Sequence, residues 1–188
     1  EKADLVLKDA RIVNVFTEEI IRGDIAIQDG IIAGIGSFHG KEERDLAGRY
    51  VCPGFIDSHL HLESTLVTPA ELVTVASRHG TTTFIVDPHE SANVSGLAGV
   101  DYILDQTENV KANVYVMMPS CVPATSIDDN GCTLTAEDMA PYLHNSRILG
   151  LGEVMDSISV VQGEKSMHDK LELFEGRIRD GHAPFLEE

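Results

Sequence analysis

With 188 residues, 43% of them hydrophobic and 24% charged, the chain has the make-up of a folded, water-soluble protein and not of a disordered or membrane-spanning one. Its length accommodates one ordinary domain, or one domain with a small accessory piece, and falls short of a complete barrel enzyme. A formal net charge of −17 repels phosphate backbones and anionic membranes, which argues against nucleic-acid polymer and membrane surfaces as partners.

Short strands separated by turn residues open the chain. "DLVLKDARIVNV" is followed by "GDIAIQDGIIAGIG", in which Asp29-Gly30 sits between two β-rich runs as a tight hairpin turn. Residues 1–50 are therefore expected to form a small all-β unit, closed by a polar linker over 39–49, and residues 51–188 a second domain in which strands and helices alternate. "GFIDSHLH" is the first strand of that domain. "TPAELVTVASRHG" (68–80) predicts a helix with Thr68 as N-cap, Pro69 at its first position and Glu71 completing a capping box. Strands follow at 81–88, 112–120 and 147–156, and helices at 95–109, at 135–145 with Thr135 as N-cap, and at 164–181, with a fifth, very short strand before "HAPF".

Apolar strands alternating with helices predict an α/β fold with a parallel sheet, either doubly wound or the first part, about strands 1–5, of a (β/α)8 barrel left incomplete. The absence of GxGxxG after the first strand weakens the dinucleotide-binding version. In a barrel all strand ends meet at one face. The ends here carry His59 and His61, then Asp87, His89 and Glu90, then Ser120 and Cys121, then Glu153, and lastly His182.

Residues i and i+2 of a strand point the same way, so His59 and His61 can reach one metal ion, or simply close the strand as two polar residues; Asp57 and Glu63 share their parity. Glu153, in "GLGEVMD", reads alone as a paired core carboxylate and, beside the His pair, as a bridge between two metals whose second ion takes His182. Asp87, His89 and Glu90 fit either a turn or a set of substrate contacts, a proton relay or a further metal site. His61-Leu62-Glu63 matches half of the zinc nucleobase deaminase signature, but no two cysteines stand three apart to supply the other half. Cys121 has no evident base to activate it as a nucleophile. His39, His79, His144 and His168 fall on linker or helix-surface positions and are read as non-functional. Cys52, Cys121 and Cys132 form no CxxC pair and no disulfide framework; with no apolar leader and no run near the ~20 residues of a membrane helix, a reducing cytoplasm is the expected compartment.

Together "PGFIDSHLHLEST", "HGTTTFIVDPHESANVSG", "PSCVPAT", "GLGEVMD" and "DGHAP" resemble the adenine deaminases of the amidohydrolase superfamily. The HxH after PGFID is common to the whole superfamily, and the other segments narrow the resemblance from dihydroorotase-like or deacetylase-like enzymes. It implies a metal-dependent hydrolase converting the small purine adenine to hypoxanthine and ammonia in purine salvage. It further implies a binuclear divalent-metal centre, with manganese or iron ahead of zinc. His59 and His61 would hold one metal, Glu153 would bridge, His182 would ligate the second, and Asp87, His89 and Glu90 would line the substrate side or an auxiliary metal site. The resemblance stops after "GHAP", where the family continues to a further metal-binding His and a late Asp. The expectation is thus a truncated chain or a divergent, non-catalytic metal-binding remnant, inactive alone and associating with a second copy through open sheet edges.

Overall fold

The computed structural model describes residues 2–183, and within them the chain divides into two compact units that separate between Pro53 and Gly54. Each is described by itself.

The first unit is a five-stranded mixed sheet. Strands β1 (Ala3–Asn14), β2 (Glu19–Gln28) and β3 (Ile31–Gly36) run antiparallel in sequence, and β4 (Gly40–Asp45) and β5 (Tyr50–Val51) pair with β1 in parallel. Asp29 and Gly30 both take positive φ, 53° and 76°, the conformation a two-residue hairpin turn requires and which Asp and Gly tolerate. The polar stretch expected as a linker over 39–49 instead supplies β4. Its charged residues suit an edge strand, where one side of the ladder faces water. Ala10, Ile12 and Ile25 form the small core.

Buried Asp24 ties this unit together: its carboxylate accepts from the amides of Asp9 (3.1 Å) and Phe38 (3.3 Å) and pairs with Lys8. The Lys8 ammonium and these amides hold the Asp24 carboxyl below the usual carboxylate value. Because the folded value is depressed, the stabilisation is complete above about pH 4 and is lost as pH falls through the lowered value. Asp24→Asn is expected to reduce hydrogen-exchange protection of the β1–β2 amides at pH 7, with the gap to the parent closing as pH falls below about 4. A gap independent of pH would contradict this role.

The second unit holds a five-stranded parallel sheet in the order β10-β9-β8-β7-β6: β6 (Phe55–Leu60), β7 (Thr81–Val86), β8 (Asn113–Met118), β9 (Ile148–Val154) and β10 (Ile178–Gly181). Spatial order equals chain order, with no reversal of the kind that defines a doubly wound sheet, so this is the strand succession of a (β/α)8 barrel. Phe84, Val86, Val114, Val116, Met118, Leu151 and Phe174 lie in its buried core. β8 and β9 are buried along most of their length, whereas β6 and β10 are largely exposed. No helix among the described residues is long and apolar enough to cross a membrane.

The helices depart from expectation in three places. The helix expected over 95–109 is α3 (Leu97–Gln106), and the turn expected after β7 opens a further helix, α2 (His89–Ser95), the two being separated where Gly96 takes φ 63°. α3 buries Val100, Ile103 and Leu104, whose i, i+3, i+4 spacing makes one apolar face. Over 164–181 the helix ends early: after α5 (Ser157–Gln162), α6 spans only Lys165–Leu173, a turn with Gly176 at φ 77° follows, and 178–181 is β10. The charged pattern continues across the break, so periodicity alone does not mark it. α1 spans Pro69–Ser77 with Thr68 at the N-cap, but its hydroxyl makes no capping bond. α4 (Ala136–Met139) does carry a capping box, formed by Thr135 with Asp138, and Pro141 lies in the 3₁₀ turn that continues it to His144.

Candidate metal centre

Four strand ends and one helix start bring the ionisable residues together. His59 lies in β6 and His61 just beyond it; Asp87 follows β7, His89 opens α2, Glu153 sits near the end of β9 and His182 follows β10. The two-residue spacing in β6 sets His59 Nε2 and His61 Nε2 3.2 Å apart. Between the imidazoles stands Glu153, 4% exposed. Its Oε1 is 2.6 Å from His182 Nε2 and 3.3 Å from His59 Nε2, and its Oε2 is 3.0 Å from His89 Nδ1 and 3.4 Å from His61 Nε2. Each carboxylate oxygen thus faces its own pair of imidazoles.

The second layer fixes these rings. His61 Nδ1 lies 2.8 Å from the Asp87 carbonyl oxygen, so the ring donates there and leaves Nε2 with a lone pair toward Glu153. His59 Nδ1 lies 3.3 Å from Asp180 Oδ2. Asp87, 2% exposed, accepts the Glu153 backbone N–H on Oδ2 at 2.9 Å. The Asp87 carboxylate, 3.6 Å from His89 Nδ1, raises the His89 imidazole to about 11, with Cys121 adding to the effect. In the metal-free chain that proton offsets two buried carboxylates.

Glu63, which shares the parity of the His pair, does not join them. It begins a 3₁₀ turn (Glu63–Thr65), and its Oε1 accepts from the amides of Glu90 (3.1 Å) and Ser91 (3.2 Å), holding the first turn of α2 and with it His89. Burial pushes the Glu63 carboxyl up. Glu90 stands outside the cluster: it is exposed and accepts from Ser64 Oγ at 2.5 Å. The reason is helical geometry, since His89 and Glu90 are successive residues of α2 and project about 100° apart. His168 bonds the Val160 carbonyl and takes no part in the cluster, and His39 pairs with Glu43 in the first unit. Cys52, Cys121 and Cys132 are all free thiols.

The donor chemistry fits a cation. His59, His61 and Glu153 offer ligand atoms within 4.8 Å of one another, and so do Asp87, His89 and Glu153. Asp87 Oδ1, His89 Nδ1 and Glu153 Oε2 are buried and none has a well-formed hydrogen bond. His89 Nδ1 meets Glu153 Oε2 at 3.0 Å and Asp87 Oδ1 at 3.6 Å, so charge pairing and not hydrogen bonding is what satisfies these buried atoms without a cation. Imidazole with carboxylate, and no thiolate, suits manganese, iron or zinc.

The sequence places Ser120 among the strand-end residues but gives it no role, and Asp180 and Lys170 stand in no motif that marks them. Asp180 shares strand parity with His182, the same i, i+2 signal as in His59-Leu60-His61, but it is hidden by the helical reading of 164–181.

Among proteins of known name, the chain is 60% identical over its full length to an adenine deaminase of Desulfitobacterium hafniense, covering 33% of that protein. It is 50% identical over 97% of its length to an adenine deaminase 2 of Carboxydothermus hydrogenoformans, covering 32%. It therefore spans about a third of the length of the curated relatives it matches. A solved D-aminoacylase structure, described as defining a subset of amidohydrolases, matches with TM-score 0.51 over 91% of this chain and 49% of that one, at 14% identity, a likeness of fold alone. The model of the amidohydrolase family matches residues 50–177, the stretch that carries β6 to β9 with His59, His61, Asp87, His89 and Glu153. On that match, and on the barrel strand order beneath it, the chain belongs to the amidohydrolase family.

Proposed function

We propose that this chain is part of a metal-dependent hydrolase that deaminates adenine, adding water at C6 and releasing ammonia to leave hypoxanthine. The reading draws on relatives named adenine deaminase at up to 60% identity and on a centre able to hold two cations. The observation that carries the second point is Glu153, whose two oxygens lie 2.6–3.4 Å from four imidazoles, a carboxylate placed to reach more than one cation. His59 and His61 would hold one cation and His182 the second, with Glu153 shared between them. Manganese or iron is proposed ahead of zinc, since hard carboxylate donors accompany the imidazoles. The bound cations supply Lewis acidity toward water.

The chain's own residues do the rest. Asp87 and His89 sit on the Oε2 side of Glu153 and hold a proton between them at His89 Nδ1, which is proposed to pass to the departing amine. Glu90 lies at the rim beside Ser64 and is proposed to line the approach. A purine is small and neutral, so the net charge of −17, which disfavours nucleic acid, does not oppose it. Free cysteines accord with a reducing cytoplasm, and the exposed outer strands β6 and β10 with self-association.

Because the chain spans about a third of its relatives, turnover is proposed to need residues outside this segment. The test supplies Mn(II) and adenine to the 188-residue chain and to a chain of the relatives' full length, and follows hypoxanthine and ammonia. Turnover is expected only from the longer chain. Hypoxanthine from the short chain would refute the dependence, and a metal-loaded long chain that leaves adenine untouched would refute the substrate.

A further inference from the structure

Lys170 lies on α6 and is 7% exposed. Its Nζ donates to the Ser120 carbonyl oxygen at 2.8 Å, and among the described residues no carboxylate forms an ion pair with it. Burial pushes its amine below the ordinary lysine range. A buried amine whose hydrogen-bonding partner is a neutral carbonyl costs the fold stability, so a compensating role is to be sought in what it holds.

It holds Ser120. That residue is fully buried just past β8, and its Oγ donates to the Glu153 carbonyl oxygen at 2.7 Å. The β8–β9 register pairs end at Met118 with Leu151, two residues short of Glu153. Beyond that point the ladder no longer fixes the backbone from the β8 side, and two side chains take over. Asp87 Oδ2 receives the Glu153 N–H, and Ser120 Oγ binds the Glu153 C=O. Both peptide groups flanking the Glu153 side chain are thereby pinned, and the Cα–Cβ direction between them is fixed.

We propose that Ser120 and Lys170 are positioning residues of the centre: Lys170 fixes the Ser120 peptide, Ser120 fixes the Glu153 carbonyl, and together they aim the Glu153 carboxylate between its imidazoles. The metal-binding consequence rests on the reading of Glu153 as a ligand; the backbone consequence does not. Outer partners of this kind typically change metal affinity by about 10- to 100-fold.

The experiment uses the 188-residue chain with Lys170→Met, Ser120→Ala and, as a control on the exposed side of the same helix, Lys165→Met. Three quantities are measured: hydrogen exchange of the Glu153 amide in the metal-free chain by NMR, Mn(II) affinity from the EPR signal of free ion, and Tm. In Lys170→Met and Ser120→Ala, exchange at Glu153 is expected to speed up selectively and Mn(II) affinity to fall about 10- to 100-fold. The Tm of Lys170→Met is expected to hold or rise, since an apolar side chain of similar length replaces the buried amine. Lys165→Met stays parent-like in all three.

Parent-like exchange and affinity in folded Lys170→Met overturn the proposal, as does faster exchange spread evenly along β9, the mark of a merely structural role. If the parent binds no Mn(II), the reading of Glu153 as ligand fails, while the exchange arm still decides the positioning. If Ser120→Ala does not fold, Lys170→Met decides alone.

Discussion

Glu153→Gln is expected to weaken Mn(II) binding by more than about 100-fold, beyond the range of outer-partner changes, while leaving the metal-free fold intact. Glutamine keeps the shape of the side chain and one acceptor oxygen, but it loses the charge and the second donor oxygen that faces His61 and His89. Without metal the native carboxylate is buried beside that of Asp87, an arrangement that folding does not favour on its own. The metal-free variant should therefore melt at or above the parent's Tm. Metal reverses the order. A cation at 100 times its Kd stabilises a folded state by about 2.7 kcal/mol, a rise of roughly 5–10 °C for a chain of this size, and the variant should show almost none of it. Melting curves at increasing Mn(II) measure this directly. Equal metal-dependent shifts in parent and variant would remove Glu153 from the centre.

The His pair was readable because strand geometry has period two: once "GFIDSHLH" is a strand, His59 and His61 must project together. Glu153 and His182 were readable because a parallel barrel gathers its strand ends, a rule that needs only the alternation of strands and helices. The same rule does not decide which of several adjacent polar residues turns inward. His89 and Glu90 are neighbours in sequence, yet the chain enters α2 at His89, and the helical rotation sends His89 to Glu153 and Glu90 to Ser64. Glu63 has the right parity for the cluster, but the strand ends at Leu60 and Glu63 is spent on the amides of α2. Lys170 was least legible. A lysine in a charged amphipathic helix reads as solvated, and only the packing of α6 against the Ser120 peptide makes it a buried donor. β4 failed for a related reason, since an edge strand can be polar throughout and leave no alternating signal.

Gly152 concentrates several of these constraints, and Gly152→Ala is expected to damage both the fold and the centre. A Cβ at this position would run into the Asp87 carboxylate, its nearest neighbour being Oδ2, the atom that accepts the Glu153 N–H. β9 cannot step aside, because β8 and β10 flank it on both edges. Asp87 cannot retreat without leaving the Glu153 amide unpaired in a buried site, which costs about 1–3 kcal/mol. Overpacking a closed core costs a similar amount. The expected loss is about 2–4 kcal/mol, read as a lower urea midpoint at unchanged m. Gly163→Ala is the comparison: that residue takes φ 75° at the end of α5 with nothing near its missing Cβ, so alanine there costs only backbone strain of about 1–2 kcal/mol. The two variants also separate by Mn(II) affinity. Gly152→Ala displaces Asp87 and with it Glu153, so it should bind metal more weakly even at temperatures where it is fully folded, whereas Gly163→Ala should bind as the parent does. Matching midpoints and affinities for the two would mean that the close approach of β9 to Asp87 has no part in shaping the centre.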